Sequence, residues 1–110
     1  MFKERLRTST EAKSILLDLK KKLGLRPNAL SRMAIVESLA NPNEKLKPAE
    51  NSSGLEFTPD VLFGELNDLI YAMIKESKIR SPKKHIERGV CLLERKYKMA
   101  GNRNRFWENF

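Results

Sequence analysis

The chain has 110 residues, 22 Lys/Arg against 14 Asp/Glu for a net charge of +8, and one His and one Cys. This length suits a single small domain and is too short for a two-domain nucleotide-using enzyme. With 33% charged residues no apolar run approaches the roughly 20 residues of a membrane-spanning helix, and one Cys excludes an intrachain disulfide or a Cys-rich zinc site.

The charge is unevenly spread. Residues 1–43 and 75–110 are strongly basic, whereas residues 44–74 are net acidic. Basic ends of this kind attract phosphate polyanions, the alternative being solvated helix faces. The N-terminal MFKERLRTSTEAK has no apolar core of a signal peptide, which makes the cytoplasm the expected location.

Residues 2–8 alternate, with Phe2, Glu4 and Leu6 between Lys3, Arg5 and Arg7. That period predicts a short strand or arm with one cationic face, and it needs a partner strand that the rest of the chain does not advertise. Thr8 and Glu11 have capping-box spacing. Ala12, Ile15, Leu16, Leu19 and Leu23 then form a helical stripe, Lys20, Lys21 and Lys22 occupy its last turn, and Gly24 stops it. Arg26-Pro27-Asn28 opens a second helix with Ala29, Leu30, Met33, Ala34 and Leu39 on its apolar side, ended by Asn41-Pro42. Residues 43–57 begin polar, carry Pro48, Ser52, Ser53 and Gly54, and read as a mobile loop. Thr58-Pro59-Asp60 starts a third helix, with Val61, Leu62, Leu66, Leu69, Ile70, Met73 and Ile74 at core spacing. Ser81-Pro82 starts a fourth, with Ile86, Val90, Leu93 and Tyr97 as its stripe and Gly101-Asn102 at its end. A tail with Arg103, Arg105, Phe106, Trp107 and Phe110 follows.

Enzyme signatures are not found: the chain lacks a phosphate loop, a dinucleotide fingerprint and a zinc-binding helix motif. His85 and Cys91 are six apart on one expected helix, about 9 Å along its axis, so they cannot form a dyad. Cys91, between Val90 and Leu92, reads as a buried small hydrophobe, and His85 as a donor or packing residue. Glu65 and Asp68 share a helix face but read as solvent-facing acids rather than a metal pair. No metal or other cofactor is expected.

The basic residues carry more. Lys83, Lys84 and Arg88 gather at the start of the fourth helix, where free N–H groups favour anions. Lys20, Lys21, Lys22 and Arg26 form a second cluster, and Lys3, Arg5 and Arg7 a third. A cationic strand followed by two helices looks like a ribbon-helix-helix unit, in which two chains pair their strands and the ribbon reads the major groove. Gly89 costs about 1 kcal/mol inside a helix, which close approach of another helix would explain.

In order and at fitting distances, RLRTSTEA (5–12), LKKKLGLRPNALSRMA (19–34), SL..P (38–42), GLEF (54–57), LFGE (62–65) and HIERG (85–89) closely resemble the DndE family, the small subunit of bacterial DNA phosphorothioation systems. The similarity covers roughly residues 3–95. It implies a small helical protein with a ribbon-helix-helix-like start, assembling as a tetramer and working with DndC and DndD while a cysteine desulfurase supplies sulfur. It also implies binding of duplex DNA, with a preference for nicked DNA, through surface lysines, in a bacterial defence system of the restriction-modification kind. The family pattern has a Cys in the segment where this chain has Leu30-Ser31-Arg32, which argues against an essential sulfur-carrying thiol there.

The expected molecule is mainly α, a strand or arm followed by about four helices in a single domain over 1–100, with residues 101–110 as a tail. It is expected to be an oligomer, because the apolar stripes exceed what four short helices need internally. The expected function is non-catalytic DNA binding and assembly within the phosphorothioation complex, through Lys3, Arg5, Arg7, Lys20, Lys21, Lys22, Arg26, Lys83, Lys84 and Arg88. The alternative is a ribbon-helix-helix transcriptional regulator.

Overall fold

In the computed structural model, which describes residues 3–109, the first helix α1 (Thr10–Leu23) is capped by Ser9 rather than Thr8: the Ser9 Oγ accepts from the Ala12 N–H at 3.0 Å. Thr8 is drawn off by a different partner. Its N–H donates to the Leu55 carbonyl at 2.9 Å, and its own carbonyl accepts from the Gly54 N–H at 2.8 Å. Its hydroxyl oxygen also accepts from the Leu55 N–H at 2.9 Å.

That zipper leads into a two-stranded antiparallel ribbon, β1 (Leu6–Arg7) with β2 (Glu56–Phe57), Leu6 facing Phe57 and Arg7 facing Glu56. The expectation of a strand lacking a partner within the chain is therefore corrected: the partner lies at the end of the segment read as a mobile loop. Two residues are too few for alternation to register, so only docking reveals the strand. The expectations for Phe2 and Phe110 lie outside the described residues.

The second helix α2 (Pro27–Ala40) starts at Pro27 as its sequence predicts. The third element departs from expectation. It is interrupted at Gly64, whose φ of 53° and ψ of −129° lie off the helical region. The result is a short helix α3 (Pro59–Phe63), a 3-10 turn at Gly64–Leu66, and α4 (Asn67–Glu76). A side chain at φ > 0 is strained, and Gly permits the break where the apolar spacing alone reads as continuous. Re-aiming the chain there buries Leu62, Phe63, Ile70 and Ile74 but leaves Val61, Leu66, Leu69 and Met73 at 58%, 48%, 58% and 39% exposure.

The fourth expected helix is α5 (Pro82–Ala100), capped by the Ser81 hydroxyl and stopped by Gly101. Beyond it the tail forms α6 (Arg103–Glu108), capped by Asn102. Its Phe106 joins the same core as Leu16, Leu19, Leu30, Ile35, Leu62, Ile74, Ile86, Val90 and Leu93. The central contact is α2 on α5. A Cβ on Gly89 would fall 1.8 Å from the Ala34 carbonyl oxygen, so the two backbones touch, as the glycine's position predicts.

Candidate nucleic-acid interface

The ribbon turns the cationic strand face toward the start of α5. Lys3, Arg5, Arg7 and Lys83, together with Glu4, Ser52 and Ser81, line an open cleft of about 600 Å³. Two clusters far apart in sequence thus share one surface. Much of their charge is already engaged. Arg5 and Arg7 reach the Glu56 carboxylate at 3.6 and 3.4 Å. The Lys83 ammonium donates to the Asn51 carbonyl at 3.1 Å and to the Ser52 hydroxyl. Lys84 is exposed, and Ser81 Oγ accepts its backbone N–H at 3.3 Å.

Arg88 differs from the other predicted residues. It is 4% exposed, and its guanidinium is spent inside the protein. Nε donates to Ser38 Oγ at 2.7 Å, Nη2 to the Ser38 carbonyl at 2.9 Å, and Nη1 to the Glu44 carbonyl at 2.8 Å. Its work is to fasten the end of α2 and the following segment to α5. Lys and Arg are so rarely buried that a helix-start cation reads by default as a surface group. The signal that could have marked it is its spacing of three residues from His85 and four from Leu92, both buried on the same flank of α5.

The same Ser38 hydroxyl sits 2.8 Å from Nδ1 of buried His85, whose Nε2 lies 2.6 Å from the Ile79 carbonyl. A carbonyl can only accept, so Nε2 carries the proton and Nδ1 accepts from Ser38. Burial, the largest influence, lowers the His85 pKa, and the Arg88 charge lowers it further, against the raising effect of the Ile79 bond. Glu87, also buried, accepts the Ser9 N–H at 3.0 Å and the Ser9 hydroxyl proton, tying the α1 cap to α5. Cys91 is half-buried rather than buried. It lines a shallow cleft with Lys47, Arg88 and Arg95, and desolvation pushes its thiol pKa up.

At the far end of α1 the cations are less occupied. Lys20, Lys21, Lys22 and Arg26 are all exposed. Lys22 pairs with Asp18 at 2.9 Å and lies 5.1 Å from the Tyr97 ring centre; the Asp18 hydrogen bond raises its pKa. Among the described residues no carboxylate stands within ion-pair distance of Lys20, Lys21 or Arg26. Arg103 of α6 also arrives here, its Nη1 lying 3.7 Å from where a Gly24 Cβ would be. By sequence it belongs to the tail, since nothing local ties residue 103 to residue 24.

Among the described residues no helix is long and apolar enough to cross a membrane. No curated protein matches the chain. The crystal structure of DndE from Escherichia coli B7A, involved in DNA phosphorothioation modification, is similar in fold. It superposes with a TM-score of 0.67 at 24% identity, covering 84% of this chain and 99% of that one. A family model for the DNA sulphur modification protein DndE matches residues 5–101. The chain belongs to the DndE family of DNA sulphur modification proteins.

Proposed function

We propose that this protein is the non-catalytic DNA-binding and assembly subunit of a cytoplasmic DNA phosphorothioation complex. It holds duplex DNA by its phosphates while DndC and DndD act on it. The observation that carries the reading is the set of exposed cations without carboxylate partners at the end of α1, Lys20, Lys21 and Arg26, in a family devoted to DNA sulphur modification. Lys3, at the cleft beside the ribbon, and the exposed Lys84, at the start of α5, add to the phosphate-binding charge. Such groups position a backbone without reading bases. Arg88 has no share in it, because its donors are satisfied internally.

A non-catalytic role is supported by the two groups best suited to chemistry. The Cys91 thiol is held protonated by burial, and His85 is locked between Ser38 and Ile79. The intrachain ribbon weighs against an operator-reading regulator, whose strands would pair between chains. Assembly as a tetramer is supported by the uncovered apolar residues Val61, Leu66, Leu69 and Met73 on α3 and α4.

Binding of duplexes measured across a salt series tests the reading. Each cation–phosphate pair removed should flatten the log–log salt slope by about 0.9. Replacing Lys20, Lys21 and Arg26 by Ala is therefore expected to weaken binding to unrelated duplexes alike and to flatten the slope by roughly 2 to 3. An unchanged affinity and slope in a folded variant would assign this charge to something other than DNA.

A further inference from the structure

The helix α6 stands outside what relates this chain to its family. The family match ends at residue 101, and α6 begins at Arg103. It is nevertheless a fixed part of the fold. Phe106 is 2% exposed, packs 6.0 Å from the Tyr97 ring centre and meets Trp107 edge-on at 5.2 Å. The Asn102 side chain caps its first turn by accepting the Arg105 N–H at 2.9 Å. What it presents outward is cationic and aromatic: Arg103 and Arg105 are exposed, and Trp107 is 41% exposed.

The placement of Arg103 gives this a direction. Its guanidinium lies at Gly24, the residue that closes α1 two positions after Lys22 and two positions before Arg26. Among the described residues it has no carboxylate within ion-pair distance. Trp107 stands four residues on, one helical turn along the same flank of α6. The end of α1 thus carries one more exposed cation, contributed by a helix that also presents an indole, a combination that suits a phosphate backbone together with the sugar and base edges beside it.

We propose that α6 is an accessory DNA-contacting element of this chain: Arg103 prolongs the phosphate-binding end of α1, and Trp107 lies against the bound DNA next to it. This rests on the DNA-binding reading above. A competing account exists for Arg103 alone, since a cation at the C-terminus of α1 also stabilises that helix through its dipole. The two accounts differ in what they do to DNA.

The chain's single Trp makes the test direct. Titration of the full-length protein with a duplex oligonucleotide should change Trp107 emission saturably, with the same midpoint as an independent binding measurement. Arg103→Ala should flatten the salt slope by about 0.9, and Arg103→Lys should restore it. If the duplex binds with constant Trp107 emission, and Arg103→Ala lowers the melting temperature but keeps the salt slope, Arg103 only closes α1 and the proposal is overturned. In that event the Lys20 and Lys21 variants would still flatten the slope, leaving the DNA-binding reading intact. If the wild-type protein binds no duplex at all, that underlying reading fails and the role of α6 falls with it.

Discussion

Ser31 is fully buried in α2, and its hydroxyl has no hydrogen-bond partner among the described residues. An unsatisfied buried polar group costs about 1–3 kcal/mol. Ser31→Ala is therefore expected to stabilise the protein by about 1 kcal/mol, seen as a melting temperature raised by roughly 4–8 °C. A fall would mean that the hydroxyl makes a favourable contact. His85 makes the opposite kind of contribution. Its Nδ1 is committed as an acceptor of the Ser38 hydroxyl, so a second proton there would oppose that bond and face Arg88. Its pKa lies below the ordinary 6.5 in the native state, so between the two values the unfolded chain binds more protons. Stability consequently rises with pH across that interval. It is fully present above about 6.5 and is lost as pH falls through the lowered native value. The urea midpoint is expected to be lower at pH 5.5 than at pH 7.5 with an unchanged m-value; a higher midpoint at pH 5.5 would contradict the buried neutral imidazole.

At the scale of elements, α2 and α5 are held at a separation that only glycine allows. Gly89→Ala would place a methyl 1.8 Å from the Ala34 carbonyl oxygen and 2.7 Å from the Ala34 Cα. Those are backbone atoms of a packed helix and cannot rotate away. The substitution gains about 1 kcal/mol of helix propensity but must push apart the central helix pair, so a net loss of about 3 kcal/mol is expected. Denaturant unfolding measures it, and a neutral result would show that the helices separate freely. The segment between α2 and α3 has little regular structure, yet it is fastened at several points. Arg88 holds Glu44, Asn51 bonds the Thr10 backbone, and Gly54 and Leu55 bond Thr8. These bonds bring Glu56 and Phe57 into register with the first strand.

For the whole molecule, the acidic middle third neutralises parts of both basic ends. Glu56 engages Arg5 and Arg7, and Glu44 engages Arg95 at 3.3 Å. The cations this leaves unmatched at the end of α1 are the ones a polyanion can use. The α3–α4 side has the opposite character, with Asp60, Glu65 and Asp68 exposed among Val61, Leu66, Leu69 and Met73. If that side joins subunits, Leu69→Asp with Met73→Asp should reduce the mass seen by light scattering from that of a tetramer to a smaller species. Helical circular dichroism should stay the same, since both side chains already face outward. A wild-type protein that is monomeric at micromolar concentration would refute the assembly.

Residue order alone determined the helices whose signals are local. Pro27 and Pro82 mark two starts, Gly24 and Gly101 two stops, and the Ile15–Leu19–Leu23 and Ile86–Val90–Leu93 stripes the buried faces. It also carried the family likeness, through motifs spaced along most of the chain. Tertiary structure decided whatever depends on a distant partner. Ser9 rather than Thr8 caps α1 because Leu55 and Glu87 take up the two residues differently. Arg88 turns inward because Ser38 and Glu44 wait for it, although its neighbours Lys83 and Lys84 stay outside. Arg103 reaches Gly24 only because Phe106 folds α6 back onto the core. Helix signals act over three or four residues and can be read in order, whereas a buried charge or a two-residue strand is settled by groups dozens of positions away.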